Sequence, residues 1–90
     1  MRKPDYSTQF KRDFKKAEFR GKEMAKLDKA LALLLAEADL PSSYKDHPLK
    51  GMWKHYRELH LEDDWLLVYK IVGDVVVFAR TGTHSDIFNE

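Results

Sequence analysis

The feature that most constrains this chain is the dipeptide Gly73-Asp74, set between two long β-rich runs. Asp64-Trp-Leu-Leu-Val-Tyr-Lys-Ile-Val72 precedes it and Val75-Val-Val-Phe-Ala-Arg-Thr-Gly82 follows. A two-residue Gly-Asp connection between such runs closes a tight hairpin. A third β-rich run starts at Trp53 and is separated from the second only by Glu62-Asp63. Three strands joined this closely form an antiparallel meander, so the rest of the chain must supply whatever covers one of its faces.

Counting outward from the turns sets a register. Val72 is expected opposite Val75, Tyr69 opposite Phe78, Leu67 opposite Arg80 and Asp64 opposite Thr83, while a turn at Glu62-Asp63 puts Leu61 opposite Asp64 and His60 opposite Trp65. Side chains alternate along a strand and opposed residues share a face. Leu59, Leu61, Leu66, Val68, Val75, Val77 and Ala79 then form the core face. Tyr56, Glu58, His60, Trp65, Leu67, Tyr69, Phe78 and Arg80 form the other, which mixes rings with an acid, a base and a cation. His60, Asp64 and His84 meet at one end of the sheet. A one-residue slip at either turn would exchange the faces of a strand.

The cover comes from the N-terminal part. Ser7 or Thr8 is an N-cap for a helix reaching about Arg20, with Phe10, Phe14 and Ala17 at helical spacing, and Gly21 ends it. A second helix over about residues 22–37 carries Met24, Leu27, Leu31, Leu34, Leu35 and Ala38 as a continuous apolar stripe. Its simplest role is core. Pro41 then stops it. Lys3 to Ser7 is at most a short edge strand, because Pro4 lacks a ladder donor. The expected fold is α+β: two N-terminal helices packed on a small, mainly antiparallel sheet, as one domain spanning residues 1–90.

Residues 41–52 form the one long connection, punctuated by Pro41, Pro48 and Gly51, with His47 in its middle. Loops of this length in a compact domain are often functional. The chain has no cysteine, which excludes disulfides, thiolate metal sites and cysteine nucleophiles. No apolar run approaches the ~20 residues that span a bilayer, and Met1-Arg-Lys-Pro-Asp lacks the apolar region of a secretory signal. The expected address is the cytoplasm, with no membrane partner.

The net charge of +1 hides an asymmetry. Residues 1–29 hold ten Lys/Arg against five acids, and the remainder holds six against ten. Lys11, Arg12, Lys15, Lys16 and Arg20 make a cationic block suited to a polyanion such as RNA. The plain alternative is a solvated helix face.

All four histidines, His47, His55, His60 and His84, lie in the second half of the chain. Imidazole gains and loses protons near neutrality, so two at one end of a sheet point to acid–base work, whereas His55, of opposite parity, reads as surface. RNA cleavage needs a base for the 2′-hydroxyl, an acid for the departing 5′-oxygen and a cation beside the phosphate. Two histidines and Arg80 supply these, with Trp65, Tyr69 and Phe78 as stacking platforms for unpaired bases. His47, His60, Asp64 and His84 are zinc ligands by type. Their scattered spacing and the nearby Arg80 oppose that reading, and neither metal nor cofactor is expected.

Several motifs together carry a resemblance. Tyr44-Lys-Asp-His47-Pro-Leu49, Gly51-x-Trp53-Lys-x-Tyr-Arg57, His60, Asp64-Trp65-Leu-Leu-Val-Tyr69-Lys70 and Arg80-Thr-Gly-Thr-His84-Ser-Asp-Ile-Phe88 closely resemble the YafQ-type branch of the RelE toxin superfamily. The match is nearly collinear over the whole chain and strongest from Tyr44 onward. It implies a type II toxin with a RelE-like fold, an endoribonuclease that cuts mRNA in the ribosomal A site. It also implies a small DinJ- or RelB-like antitoxin as partner in a hetero-oligomer, with the free toxin monomeric. Carried over by position, His47, His60, Asp64, His84 and Phe88 take the catalytic places, with His84 as proton donor. Glu58 stands where the family typically has Asp, which lengthens the carboxylate's reach. The superfamily fold also includes members that act on DNA gyrase or work purely by binding. Such members are expected to lack the histidines that this chain keeps.

Overall fold

Gly73 takes a positive φ of 60°, the conformation a type II′ hairpin turn requires at its first central position, and Val72 pairs with Val75 across it. In the computed structural model, which describes residues 1–89, this turn joins β4 (Trp65–Val72) to β5 (Val75–Gly82). Before them come β1 (Lys3–Tyr6), α1 (Thr8–Phe19), α2 (Met24–Leu35), β2 (His47–Pro48) and β3 (Arg57–Glu62), and α3 (His84–Phe88) closes the chain. The sheet order is β1-β5-β4-β3-β2. β1 runs parallel to β5, and the other neighbours are antiparallel. The fold is α+β, as expected, with three elements beyond the expected set. The weakly signalled segment at Lys3 does form the edge strand, the long connection contributes two residues as β2, and residues after β5 coil into α3.

Two irregularities alter the register. The second turn lies one residue later than the sequence count, with Glu62 opposite Trp65, and the register then shifts so that His60 faces Leu66 rather than Trp65. On β5, Tyr69 faces Phe78 as expected, but Val68 faces Arg80 and Leu67 faces Thr81, leaving Ala79 as a bulge. β3 keeps its expected faces and β4 and β5 exchange theirs. The cause is β4 itself. Trp65, Leu66, Leu67, Val68 and Tyr69 are all buried, and a strand apolar on both sides has no alternation to fix its faces.

The helices therefore cover Leu59, Leu61, Trp65, Leu67, Tyr69, Val76 and Phe78, against which Phe10 and Ala17 of α1 and Leu27, Ala30, Leu31 and Leu34 of α2 pack. Fully burying one such leucine stabilises by ~1.5–3 kcal/mol. Ser7 fixes the start of α1 to the bulge: its hydroxyl accepts from the Phe10 N–H and donates to the Ala79 carbonyl at 2.7 Å. On the opposite face the buried apolar residues are Leu66, Val68, Ala79 and Ile87, beneath the partly exposed Leu49, Trp53, Tyr56 and Phe88. Among the described residues no helix is long and apolar enough to cross a membrane.

Candidate active site

The less covered face is where the histidines collect. β2 exists because His47 and Pro48 pair with Glu58 and Arg57 of β3, and this pairing sets His47 beside His60 with ring centroids 5.9 Å apart. Glu58 is 4% exposed and lies between them, its Oε2 3.2 Å from His47 Nε2 and 3.7 Å from His60 Nε2. The first distance is a hydrogen bond when a proton lies between the two atoms, and the second is an ion-pair distance only. His47 Nδ1 lies 2.7 Å from the Lys45 carbonyl, which can only accept, so Nδ1 carries a proton there. His60 Nδ1 is buried and has no hydrogen-bond partner, so no neighbour fixes which of its nitrogens bears the proton.

Asp46 holds the His47 loop in place. Its carboxylate accepts from the Tyr69 hydroxyl at 2.7 Å and from Arg57 Nε at 3.2 Å. Burial pushes the Tyr69 phenol above its ordinary value, and the Asp46 carboxylate pushes it the same way. Asp46 was not singled out in the sequence. Its only signal there was its place in the Asp-His-Pro-Leu motif.

His84 opens α3 and continues the row, with its ring centroid 6.0 Å from that of His60 and 6.3 Å from Phe88. Asp64 reaches it from the β3–β4 turn. The Asp64 carboxylate accepts from the His84 backbone N–H at 2.9 Å and lies 2.7 Å from His84 Nδ1. These two contacts hold the Asp64 carboxyl below the ordinary aspartate range. With Nδ1 donating to Asp64, His84 keeps Nε2 for a substrate.

α3 is pinned at its start. Thr83 and Asp86 form a reciprocal capping box, a signature readable as Thr-x-x-acid in the sequence but not used there. Asp86 also accepts from Arg20 Nη1 at 2.7 Å and from Lys16 Nζ at 3.3 Å. Arg20 above all holds the Asp86 carboxyl far below its usual range. A Cβ at Gly82 would lie 3.0 Å from Asp86 Cβ, so a side chain there would press on the capping aspartate.

Of the sequence-predicted residues, the structure gathers His47, Glu58, His60, Asp64, His84 and Phe88 at one place. It separates the others from it. Trp65 and Tyr69 are each 1% exposed beneath the helices, so neither offers a ring to a base, and Phe78 is buried with them. Trp65 Nε1 donates to Thr81 Oγ1 instead, and Tyr69 anchors Asp46. The exchanged faces of β4 and β5 account for all three. Arg80 is engaged, its Nε donating to Asp13 at 2.7 Å and its Nη2 to the Asp86 carbonyl at 3.3 Å. Lys16 is tied to Asp86, while Lys11 and Lys15 line an open groove between α1 and α2 with Tyr6, Phe10, Phe14 and Leu31.

Chemically, the arrangement offers two imidazoles in contact range, each backed by a carboxylate, on a surface open to a polymer. The same donors admit a cation, because His47, Glu58 and His60 each present a ligand atom within 4.8 Å of the others. This differs from the set weighed from sequence, with Glu58 replacing Asp64 and His84.

A helix pair on one face of such a sheet and a histidine–carboxylate row on the other define a RelE-like toxin. More narrowly, the model of the bacterial YafQ toxin of type II toxin–antitoxin systems matches residues 2–89, and the chain belongs to that family. It is 47% identical over 85 residues to the mRNA interferase toxin YafQ of Escherichia coli K12, covering 93% of this chain and 92% of the relative. The crystal structure of the E. coli DinJ–YafQ complex matches with a TM-score of 0.91 and 46% identity over 98% of this chain and 99% of that one. A metal-bound toxin from Helicobacter pylori matches with a TM-score of 0.91 and 39% identity, covering 98% of this chain and 100% of that one.

Proposed function

We propose that this chain, an mRNA interferase of the YafQ family, cuts mRNA in the ribosomal A site by metal-independent acid–base catalysis between His60 and His84. The observation that carries the reading is the row of three imidazoles, 5.9 and 6.0 Å between centroids, with a carboxylate at each end of the reacting pair. His60 takes the proton of the 2′-hydroxyl, and Glu58 stabilises the imidazolium that forms. The 2′-oxygen attacks phosphorus, the bond to the 5′-oxygen breaks, and His84 donates a proton to that leaving oxygen. A 2′,3′-cyclic phosphate remains on the upstream piece. Asp64 fixes the His84 ring and offsets its positive charge. His47, across Glu58 from His60, holds the scissile phosphate, and Arg80, its charge shared with Asp13, takes no part in the step.

The site is a shallow surface, so the ribosome supplies the positioning, which is worth ~7–11 kcal/mol in well-oriented reactions. Lys11 and Lys15 bind ribosomal RNA. The partner that silences the toxin is an antitoxin of the DinJ or RelB kind, in a cytoplasmic hetero-oligomer. An ion held by His47, Glu58 and His60 would take the lone pair that His60 needs as base, so added zinc is expected to inhibit. Mapping cut sites on ribosome-bound mRNA, with and without a co-expressed antitoxin and in EDTA at fixed ribosome integrity, tests the whole reading. Cuts that vanish with the antitoxin and persist in EDTA are expected. Loss of cutting in EDTA with specific rescue by zinc would contradict the metal-free mechanism. DNA-damage signalling in place of translation arrest would move the chain to the gyrase-directed, binding-only class.

A further inference from the structure

The row of imidazoles does not end at His84. Phe88 stands 6.2 Å from Trp53, edge to face at 89°, and Trp53 stands 5.2 Å from Tyr56 at 80°. Lys70 places its ammonium 4.9 Å over the Tyr56 ring. These rings come from three separate segments: α3, the 3-10 turn Gly51–Trp53, and the lead into β3. All three are only partly buried, above the small cluster of Leu66, Val68, Ala79 and Ile87.

The local backbone is arranged to present them. The Tyr56 N–H donates to the Trp53 carbonyl at 2.9 Å and the Leu49 N–H to the Tyr56 carbonyl at 3.0 Å. His55, between the two residues in sequence, takes a φ of 82°. A non-glycine residue in the left-handed region carries strain, which persists where the surroundings enforce it and concentrates at functional sites. Met52, in the same turn, is 97% exposed. A turn serving only to cap four apolar side chains needs neither the strain nor the exposed edge.

We propose that Trp53, Tyr56 and Lys70 form a nucleotide subsite for the RNA residue on the 3′ side of the cut, a proposal that rests on the nuclease reading above. The chemistry selects an unpaired nucleotide. Aromatic faces stack on any splayed base, with a modest preference set by stacking strength, and an adjacent ammonium meets the phosphate. Position selects the side of the cut. His84 protonates the oxygen that leaves with the downstream nucleotide, and Phe88, 6.3 Å from His84 and 6.2 Å from Trp53, links the rings to that histidine. The subsite replaces the platform that Trp65 and Tyr69, both buried, do not provide.

The test uses the full chain and ribosome-bound messages randomised at the base after the cut. Trp53→Leu and Tyr56→Leu keep an apolar cover but remove the stacking face. Each is expected to raise KM about 10-fold, the scale of one lost base stack, and to flatten the base preference at that position. Trp53→Tyr is expected to restore both, and Lys70→Met to raise KM without changing preference. His84→Gln is expected to lower kcat and leave preference alone. Folded leucine variants with wild-type KM and wild-type preference would overturn the subsite.

A second readout is independent of cleavage. Trp65 is buried, so fluorescence quenching by a short oligonucleotide reports on Trp53. A 2′-O-methyl tetranucleotide, which cannot be cut, is expected to quench it, and an abasic strand of equal charge is not. Equal quenching by both would overturn stacking even if a leucine variant failed to fold. If the wild-type chain cuts no mRNA, the nuclease reading fails, and the quenching pair still decides whether this surface binds bases.

Discussion

The same three strands present two faces that treat polar atoms in opposite ways. On the helix-covered side, every buried side-chain polar atom among the described residues is answered. Asp13, 6% exposed, meets Arg80 and the Thr81 N–H, and the Thr81 hydroxyl takes the Trp65 indole N–H and donates to the Leu66 carbonyl. On the other side lies His60 Nδ1, the buried side-chain atom that lacks a partner among the described residues. A buried polar atom left unpaired costs ~1–3 kcal/mol. The covered face uses polar groups to fix structure, and the open face leaves one uncommitted, on the imidazole proposed to take the 2′-hydroxyl proton.

The contrast breaks most visibly at His84. Replacing it with alanine is expected to lower single-turnover mRNA cleavage by ~10²–10⁴-fold, the range for a lost general acid. The circular dichroism melt and antitoxin binding should stay near wild type, because His84 lies outside the covered core. Full cleavage by His84→Ala would remove the residue from the mechanism. On the covered face the mirror experiment is Trp65→Ala. It should cost ~3–5 kcal/mol in a guanidinium titration, and whatever fraction remains folded should cut at the wild-type rate. A folded variant with a selectively reduced rate would return Trp65 to the site.

How far the sequence reached follows the same division. The meander, the helix pair and the convergence of His60, Asp64 and His84 were legible, because turns and apolar periodicity are local signals. The strand faces were not. Ala79 and Leu61 bulge out of register, nothing in their identity announces it, and β4 is apolar on both sides. The error fell on Trp65, Tyr69 and Phe78 and spared Glu58 and His60, whose strand kept its faces. Long-range ion pairs were also invisible. Nothing near Lys16 or Arg20 in sequence points to Asp86, 66 residues beyond Arg20.

That ion pair sharpens the comparison at intermediate size, since it couples the covered side to the active one. Asp86→Asn is expected to cost about 1–2 kcal/mol by removing half of a capping box and an ion pair. Cleavage should fall with it, as His84 loses its fixed mounting. The sign of the pH dependence follows from the depressed carboxyl. The contribution of Asp86 is fully present above the ordinary aspartate value of ~3.9 and is lost only as pH falls through its much lower folded value. Wild type and Asp86→Asn should therefore differ by a constant amount from neutrality to about pH 4 and converge below it. A gap that closes between pH 5 and 7 would point to another group.

The smallest effects are expected far from the histidines. Lys11, Arg12 and Lys15 enter no ion pair among the described residues, whereas Lys16 contacts Asp86. Reversing Lys11 and Lys15 should weaken ribosome association and reduce its salt slope by about 1 for each phosphate no longer neutralised, with cleavage chemistry unchanged. Adding Lys16→Glu should lower cleavage as well, through α3. Equal ribosome binding across a salt titration would leave Lys11 and Lys15 as a solvated face.

The central claim, that two imidazoles on the open face exchange protons with the RNA, is tested most directly by the pH–rate profile of ribosome-bound mRNA cleavage under single-turnover conditions in EDTA. The wild-type chain is expected to give a bell with two ionisations, and His60→Gln to lose one limb while the other stays in place. A profile with one ionisation, unchanged by His60→Gln, would contradict it.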